Sequence, residues 1–282
     1  MKKFLKNFFS VVFQIALLLL AIMLPTFSLN FDVSNILTVV ALLFAILIGF
    51  FMAAATSNYL RLQTIISDED ASLISIFDLV KILQPAARKK ISDLVDKYMI
   101  AALDYDLLDY FPATSTEFNN LVDAINKLVP SNKQALPLLQ NLHDLKRNII
   151  SIRQEALILI KKTITIRHWF ILISLASIVA VLLLGLRDGN LTTSLLVGLI
   201  LIALYQILNL LRKIDSNTFL ADQLAYEAPQ KVFLAIGKNK YYPENAMNKK
   251  LKNSLKNENY RIGVYKNIKK SMEKKIKLVK SS

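Results

Sequence analysis

The chain has 282 residues, 54% of them hydrophobic, with a formal net charge of +14 and a mean hydropathy of +0.41. An ordinary soluble domain does not reach such values, whereas a chain with several segments in lipid does. It has no cysteine, which excludes disulfides and thiolate metal sites.

Four uncharged stretches, at about 8–29, 35–57, 168–186 and 192–211, are each long enough to cross a hydrocarbon core, which takes roughly 20 residues of helix. The first follows Lys2, Lys3 and Lys6 and so also has the basic start and apolar run of a signal peptide. Its length and the lack of a small-x-small cleavage site favour an uncleaved anchor. Arg61 follows the second stretch, Lys161, Lys162 and Arg167 precede the third, and the two short loops contain only Arg187. The positive-inside rule then puts both termini and the middle region in the cytoplasm.

The second stretch repeats small residues every fourth position, at Ala41, Ala45, Gly49 and Ala53. In a helix these form a smooth strip suited to close packing, while Phe44, Ile48 and Phe51 form a bulky strip elsewhere. The bulky strip reads either as the apolar neck of a pore or as plain packing. Gln14, Gln206 and Asn209 lie within the apolar stretches and call for a partner helix. No ionisable residue lies at membrane depth, which argues against a proton-coupled transporter or a voltage sensor. A pore gated by dewetting needs none.

Between the second and third stretches, residues 58–167 hold 14 basic and 13 acidic residues, close to neutral. Prolines 85, 112, 130 and 137 punctuate the region, and helical spacing predicts helices near 58–83, 86–109, 115–129 and 134–166. No Gly or Pro interrupts either junction with the membrane, so the first is expected to continue the second span and the last to run into the third. Leu138, Leu142, Leu145, Ile149, Ile152, Ala156, Leu159 and Thr163 alternate by 4 and 3, as a coiled-coil seam does. Leu62, Ile66, Glu69, Leu73, Ile76, Val80 and Leu83 answer with the same spacing. Glu69 is the exception to this apolar seam. If the two helices run antiparallel, a rise of about 1.5 Å per residue brings Glu69 and Arg153 to similar heights, where an ion pair would set the register. The other reading leaves Glu69 solvated at the edge of the seam.

After the fourth stretch, a helix is expected beyond Ser216, ending near Pro229. The tail from 238 to 282 holds 14 basic and 3 acidic residues, so the basic character of the chain resides there. Tyr265, Ile268, Met272, Ile276 and Val279 fit one face of a basic amphipathic helix, suited to anionic lipid headgroups. A solvated tail is the plainer alternative, and too few aromatic stacking groups accompany the lysines to suggest nucleic acid. His143 and His168 have no second ligand at helical spacing, "GLRDGN" is a turn rather than a phosphate loop, and "DEDASL" lacks the alternating ligands and glycine of a calcium loop. No enzyme, metal site or cofactor is expected.

Several of these residues stand in a familiar order: "EDASL" with Glu69 and Leu73, then Tyr98, Arg153 in "RQEAL", Trp169, and Asp215 with Phe219 after the fourth stretch. In this the chain resembles the bestrophin-like domain family of bacterial membrane proteins, over roughly residues 35–236. Asp70 departs from the alanine usual there, no proline precedes Trp169, and the segment after the fourth stretch diverges. The resemblance implies an all-α fold: four transmembrane helices with a cytoplasmic helical bundle extending from helices two and three, in the inner membrane. The segments would be a hairpin at 1–57, a cytoplasmic region at 58–167, a second hairpin at 168–211 and a basic tail at 212–282. Bestrophins are oligomeric anion channels whose second membrane helix lines the pore, so the resemblance implies a homo-oligomeric ion channel with Phe44, Ile48 and Phe51 as its neck. The alternative is a non-conducting scaffold or sensor that recruits a cytoplasmic partner.

Overall fold

The computed structural model describes residues 2–27, 32–104, 113–131, 135–161, 163–216, 227–247, 249–265 and 274–280. It is mostly helical. In chain order the elements are α1 (Lys2–Met23), α2 (Val33–Leu83), α3 (Arg88–Asp104), α4 (Ser115–Asn126), α5 (Leu136–Leu159), α6 (Ile166–Gly185), α7 (Leu191–Asp215), α8 (Glu227–Ala235), β1 (Lys240–Pro243), α9 (Lys249–Ser254), β2 (Tyr260–Tyr265) and β3 (Lys274–Val279). They form two compact units, residues 1–59 with 162–216 and residues 60–161 with 217–282, and α2 contributes to both.

Helix α2 runs unbroken for 51 residues. Asp32 caps it, its Oδ1 accepting the backbone N–H groups of Ser34 at 3.1 Å and Asn35 at 3.3 Å. Pro85, which can neither donate a backbone hydrogen bond nor follow a helical residue easily, ends it. The last carbonyl, of Leu83, accepts from the backbone and the hydroxyl of Ser131. The continuation of the second apolar stretch into a long helix is as the sequence suggests.

In the first unit, α2, α6 and α7 are long and apolar enough to cross a membrane, and residues Ser10–Met23 of α1 form a shorter apolar segment. Helix α1 lies against α7. Gly198 permits the approach, since a Cβ there would stand 3.5 Å from the Leu18 backbone and 2.6 Å from Leu18 Cδ1. Polar side chains join the same pair: Gln206 donates to Gln14 at 3.3 Å and Tyr205 to Ser10 at 3.2 Å. Arg187 is buried at the ends of α1 and α6. It donates to the carbonyls of Ala21, of Pro25 at 3.2 Å and of Leu184 at 3.1 Å, placing its charge on the negative ends of two helices. The turn into α7 requires Gly189 at φ +86°, a left-handed conformation that glycine adopts without strain.

In the second unit, Leu62, Leu73, Ile76, Val80 and Leu83 of α2 are buried, as are Leu142, Ile149, Ile152 and Ala156 of α5. The pairs Arg61–Glu155, Glu69–Arg153 and Ser72–Asn148 run in opposite senses along the two helices, so α2 and α5 are antiparallel. The remaining elements build a lobe on α3. Arg261 forks onto Asp96 at 2.6 and 2.8 Å, Lys238 meets Asp93 at 2.7 Å, and the Tyr241 hydroxyl donates to Asp104 at 2.6 Å.

Three expectations need correction. Helix α5 does not run into α6: the chain leaves helical geometry between Ile160 and Thr165. The run Thr163, Ile164, Thr165, Ile166 is β-branched throughout and loses side-chain freedom in a helix, while tertiary partners take over its polar groups. Asp215 accepts the N–H of Ile164 at 3.0 Å, and Asn58 donates to the Thr163 hydroxyl at 2.9 Å. Second, the described residues of the C-terminal region do not form the expected amphipathic helix: Tyr265 lies in β2, and Ile276 and Val279 lie in β3. The region contains a three-stranded sheet, β1 parallel to β2 and β2 antiparallel to β3, so the fold is mostly rather than entirely helical. Third, helix α8, Glu227–Ala235, continues past Pro229 rather than ending there. Residues 217–226, including Phe219, and residues 268 and 272 of the expected amphipathic face lie outside the described residues.

Candidate functional site

Two arrangements carry the functional argument, one in each unit. In the first unit, Phe44, Ile48 and Phe51 are buried with Ala55, Ile164, Leu172, Ala176 and Leu211, with Trp169 packed at the side. The His168 ring lies 4.9 Å from that of Phe51. The strip that reads either as a pore neck or as plain packing thus faces the chain's own α6 and α7. The adjacent strip does not: Leu42, Ile46 and Phe50 are 60%, 63% and 67% exposed. Of the small residues, Ala41 is half-buried against the α1/α7 side, while Ala45, Gly49 and Ala53 are exposed. A Cβ built on Gly49 meets no atom within 4 Å.

The second unit holds a buried polar cluster. Glu69 comes from α2, Tyr98 from α3, Arg153 from α5, and Thr114 from the residue before α4. All four are buried. The Tyr98 hydroxyl donates to Glu69 Oε1 and accepts from Arg153 Nη1 at 2.5 Å. Both terminal nitrogens of Arg153 donate to Thr114 Oγ1 at 3.2 Å, and its guanidinium lies 4.2 Å from the centre of the Phe118 ring. Glu69 and Arg153 are 3.8 Å apart. A charge pair removed from water is tolerable only when its remaining donors and acceptors are satisfied, and here a phenol, a threonine and an aromatic face do so.

The next residue on α2 is different. Asp70 is buried and its Oδ2 has no hydrogen-bond partner. Burial, and then the charge of Glu69, push its carboxyl well above the ordinary value of 3.8. This is the position where the resemblance leads one to expect alanine.

Sequence reasoning missed Thr114 and Phe118, although "TSTE" from Thr114 to Glu117 has the spacing of a capping box. The Thr114 side chain does not cap α4; its hydroxyl serves Arg153 instead. Arg187, read only as a loop charge, is a buried helix-end ligand. Asp215 and Trp169 both sit in the first unit, at the α5–α6 joint and in the core beside it. Among the described residues no group of three or more His, Cys, Asp or Glu side chains is placed to hold a metal ion.

The apolar helices and their packing define an integral membrane protein of mostly helical build. The sequence matches the Bestrophin-like domain over residues 7–213, and the chain belongs to that family. The fold is similar to crystal structures of a bacterial bestrophin homologue from Klebsiella pneumoniae. Two structures of single-residue variants match with TM-scores of 0.61 and 0.59 at 11% and 12% identity, covering 83% and 82% of this chain and 100% and 99% of theirs. A third, phased on zinc, matches with a TM-score of 0.56 at 11% identity, covering 83% of this chain and 99% of that one. No curated protein sequence matches the chain.

Proposed function

We propose that the protein is a homo-oligomeric ion channel of the inner membrane, with four membrane-spanning helices per subunit and α2 facing the axis. One observation carries this reading. Leu42, Ile46 and Phe50 form an exposed bulky strip while the neighbouring face of the same helix is already buried. A ring of such strips supplies an apolar constriction that gates by dewetting and needs no charge at membrane depth. Phe44, Ile48 and Phe51 then support the neck from behind. Ala45, Gly49 and Ala53 let the helix of a neighbouring subunit approach closely, with Ala41 at the outer end of the strip. Anion selectivity is carried over from the bestrophins as an analogy of fold. Positive-inside orientation puts the second unit and both termini in the cytoplasm, where the Glu69–Arg153 contact fixes the register of α2 against α5. The net positive charge of residues 238–282 suits anionic headgroups.

The test has two parts. Native mass spectrometry of the protein in lipid nanodiscs is expected to give a closed ring of four or more subunits; a monomer overturns the reading. In liposomes, Ile46→Ala and Phe50→Ala are expected to raise chloride flux at least several-fold, and Phe44→Ala to act mainly through stability. Unchanged flux in both exposed-strip variants places the neck elsewhere.

A further inference from the structure

The C-terminal sheet treats its two edges differently. On the β1 edge, the side-chain amide of Gln230 donates to the Tyr241 carbonyl and accepts the Tyr241 N–H, both at 2.9 Å, imitating a neighbouring strand. Gln230 is itself buried, so this edge is closed. On the other side β3 is the last strand, and among the described residues nothing hydrogen-bonds its outer edge. Every second residue of an edge strand points its N–H and C=O away from the sheet, which makes β3 a template for one more strand.

The side chains of β3 say what kind of strand fits. Ile276 and Leu278 share one face and are 47% and 51% exposed, large apolar groups left open at the edge. Lys275 and Lys277 share the other face and are exposed, and Lys280 follows. By register, Lys277 stands opposite Ile262 and Lys275 opposite Val264, so β2 brings no carboxylate across to them. Lys275, Lys277 and Lys280 bar a second copy of β3 from the site, since pairing would set like charges against one another. The same charges favour an anionic strand whose alternate apolar residues cover Ile276 and Leu278.

We propose that the outer edge of β3 is a docking site for an extended acidic segment of a partner protein, which adds to the sheet as a fourth strand. Main-chain hydrogen bonds give such a contact its affinity, and the lysine and apolar faces give it its choice of partner.

The probe is a fluorescein-labelled peptide of alternating Glu and Val, eight residues long, titrated into the full chain in nanodiscs and followed by anisotropy. Saturable binding is expected. An otherwise identical peptide N-methylated at alternate amides keeps its charge but cannot pair; tested in both phases, one phase is expected to lose at least tenfold in affinity. The double variant Lys275→Glu with Lys277→Glu is expected to lose the acidic peptide and to bind an alternating Lys/Val peptide instead. Equal binding of both methylated peptides reduces the effect to charge attraction and overturns the proposal. So does an absence of peptide binding together with flotation of the protein on phosphatidylglycerol vesicles that the double variant loses, which assigns the edge to lipid. Disulfide-linked dimers formed through Ile276→Cys at the rate of free encounter are expected; rapid, complete crosslinking assigns the edge to a second copy and overturns it as well.

Discussion

Tyr98 accepts a 2.5 Å hydrogen bond from Arg153 and passes its own hydroxyl proton toward Glu69, so the charge pair between α2 and α5 is closed by a residue on α3. The direct Glu69–Arg153 separation of 3.8 Å is too long for a good hydrogen bond. The Tyr98 hydroxyl, bonded to both charged groups, bridges that gap.

Tyr98→Phe keeps the ring on Phe118 and removes only the hydroxyl. It is expected to cost about 1–3 kcal/mol, the usual penalty for leaving a buried acceptor without its donor. Arg153→Met leaves the buried carboxylate without its counter-charge and is expected to cost more, about 3–5 kcal/mol. Thermal unfolding in detergent measures both. A double-mutant cycle of Tyr98→Phe with Arg153→Met should show strong coupling, because either substitution breaks the same relay.

Asp70 makes stability depend on pH. Its carboxyl is raised in the folded state, so the folded chain holds a proton that the unfolded chain has released once pH exceeds the ordinary value of 3.8. Stability from this group is thus greatest below that pH, declines as pH rises toward the raised folded value, and is level above it. Asp70→Asn is expected to flatten that decline and to raise stability at neutral pH. Denaturation midpoints from pH 4 to 8 in the two proteins check this, and an unchanged slope refutes it.

The α1–α7 contact is expected to tolerate a methyl group but not a branched chain at position 198. In Gly198→Ala the added Cβ displaces the far end of Leu18, which can rotate, and a loss of about 1 kcal/mol or less follows. Gly198→Leu also meets the Leu18 backbone and the Ala21 Cβ and is expected to cost about 1–3 kcal/mol or more. Unfolding midpoints separate the two, and Leu18→Ala should recover part of the loss in the Leu variant.

Asp215→Ala leaves the N–H of Ile164 without its acceptor, whereas Asp215→Asn retains one. Hydrogen exchange at the Ile164 amide is expected to quicken sharply in the first and little in the second, with a stability loss of about 1–3 kcal/mol for Ala.

The seam residues of α2 and α5 in the second unit were legible because that unit contrasts apolar with polar positions, and helical rise alone put Glu69 and Arg153 at similar heights. The same contrast fails in the apolar part of α2. Every face there is greasy, so spacing defines the strips but cannot say which one the chain keeps for itself. The break at Ile160–Thr165 was hidden because its stabilising partner, Asp215, lies 51 residues further on. In the tail, spacings of three and four outweighed the simpler alternation of lysine with Ile276 and Leu278, which is the period of a strand. Gln230 closing the β1 edge has no sequence signature at all, since a glutamine in a short helix reads as surface.

The contact between Asp215 and Ile164 joins a side chain to a main chain, and this divides the burden unequally between the two positions. Position 164 must fill a buried apolar space and supply an N–H, which any apolar residue except proline does. Position 215 must present a short acceptor at one distance. The joint therefore asks for Asp or Asn at 215 while Ile, Val, Leu or Met serve at 164, and its chemical demand falls almost wholly on one of its two sides.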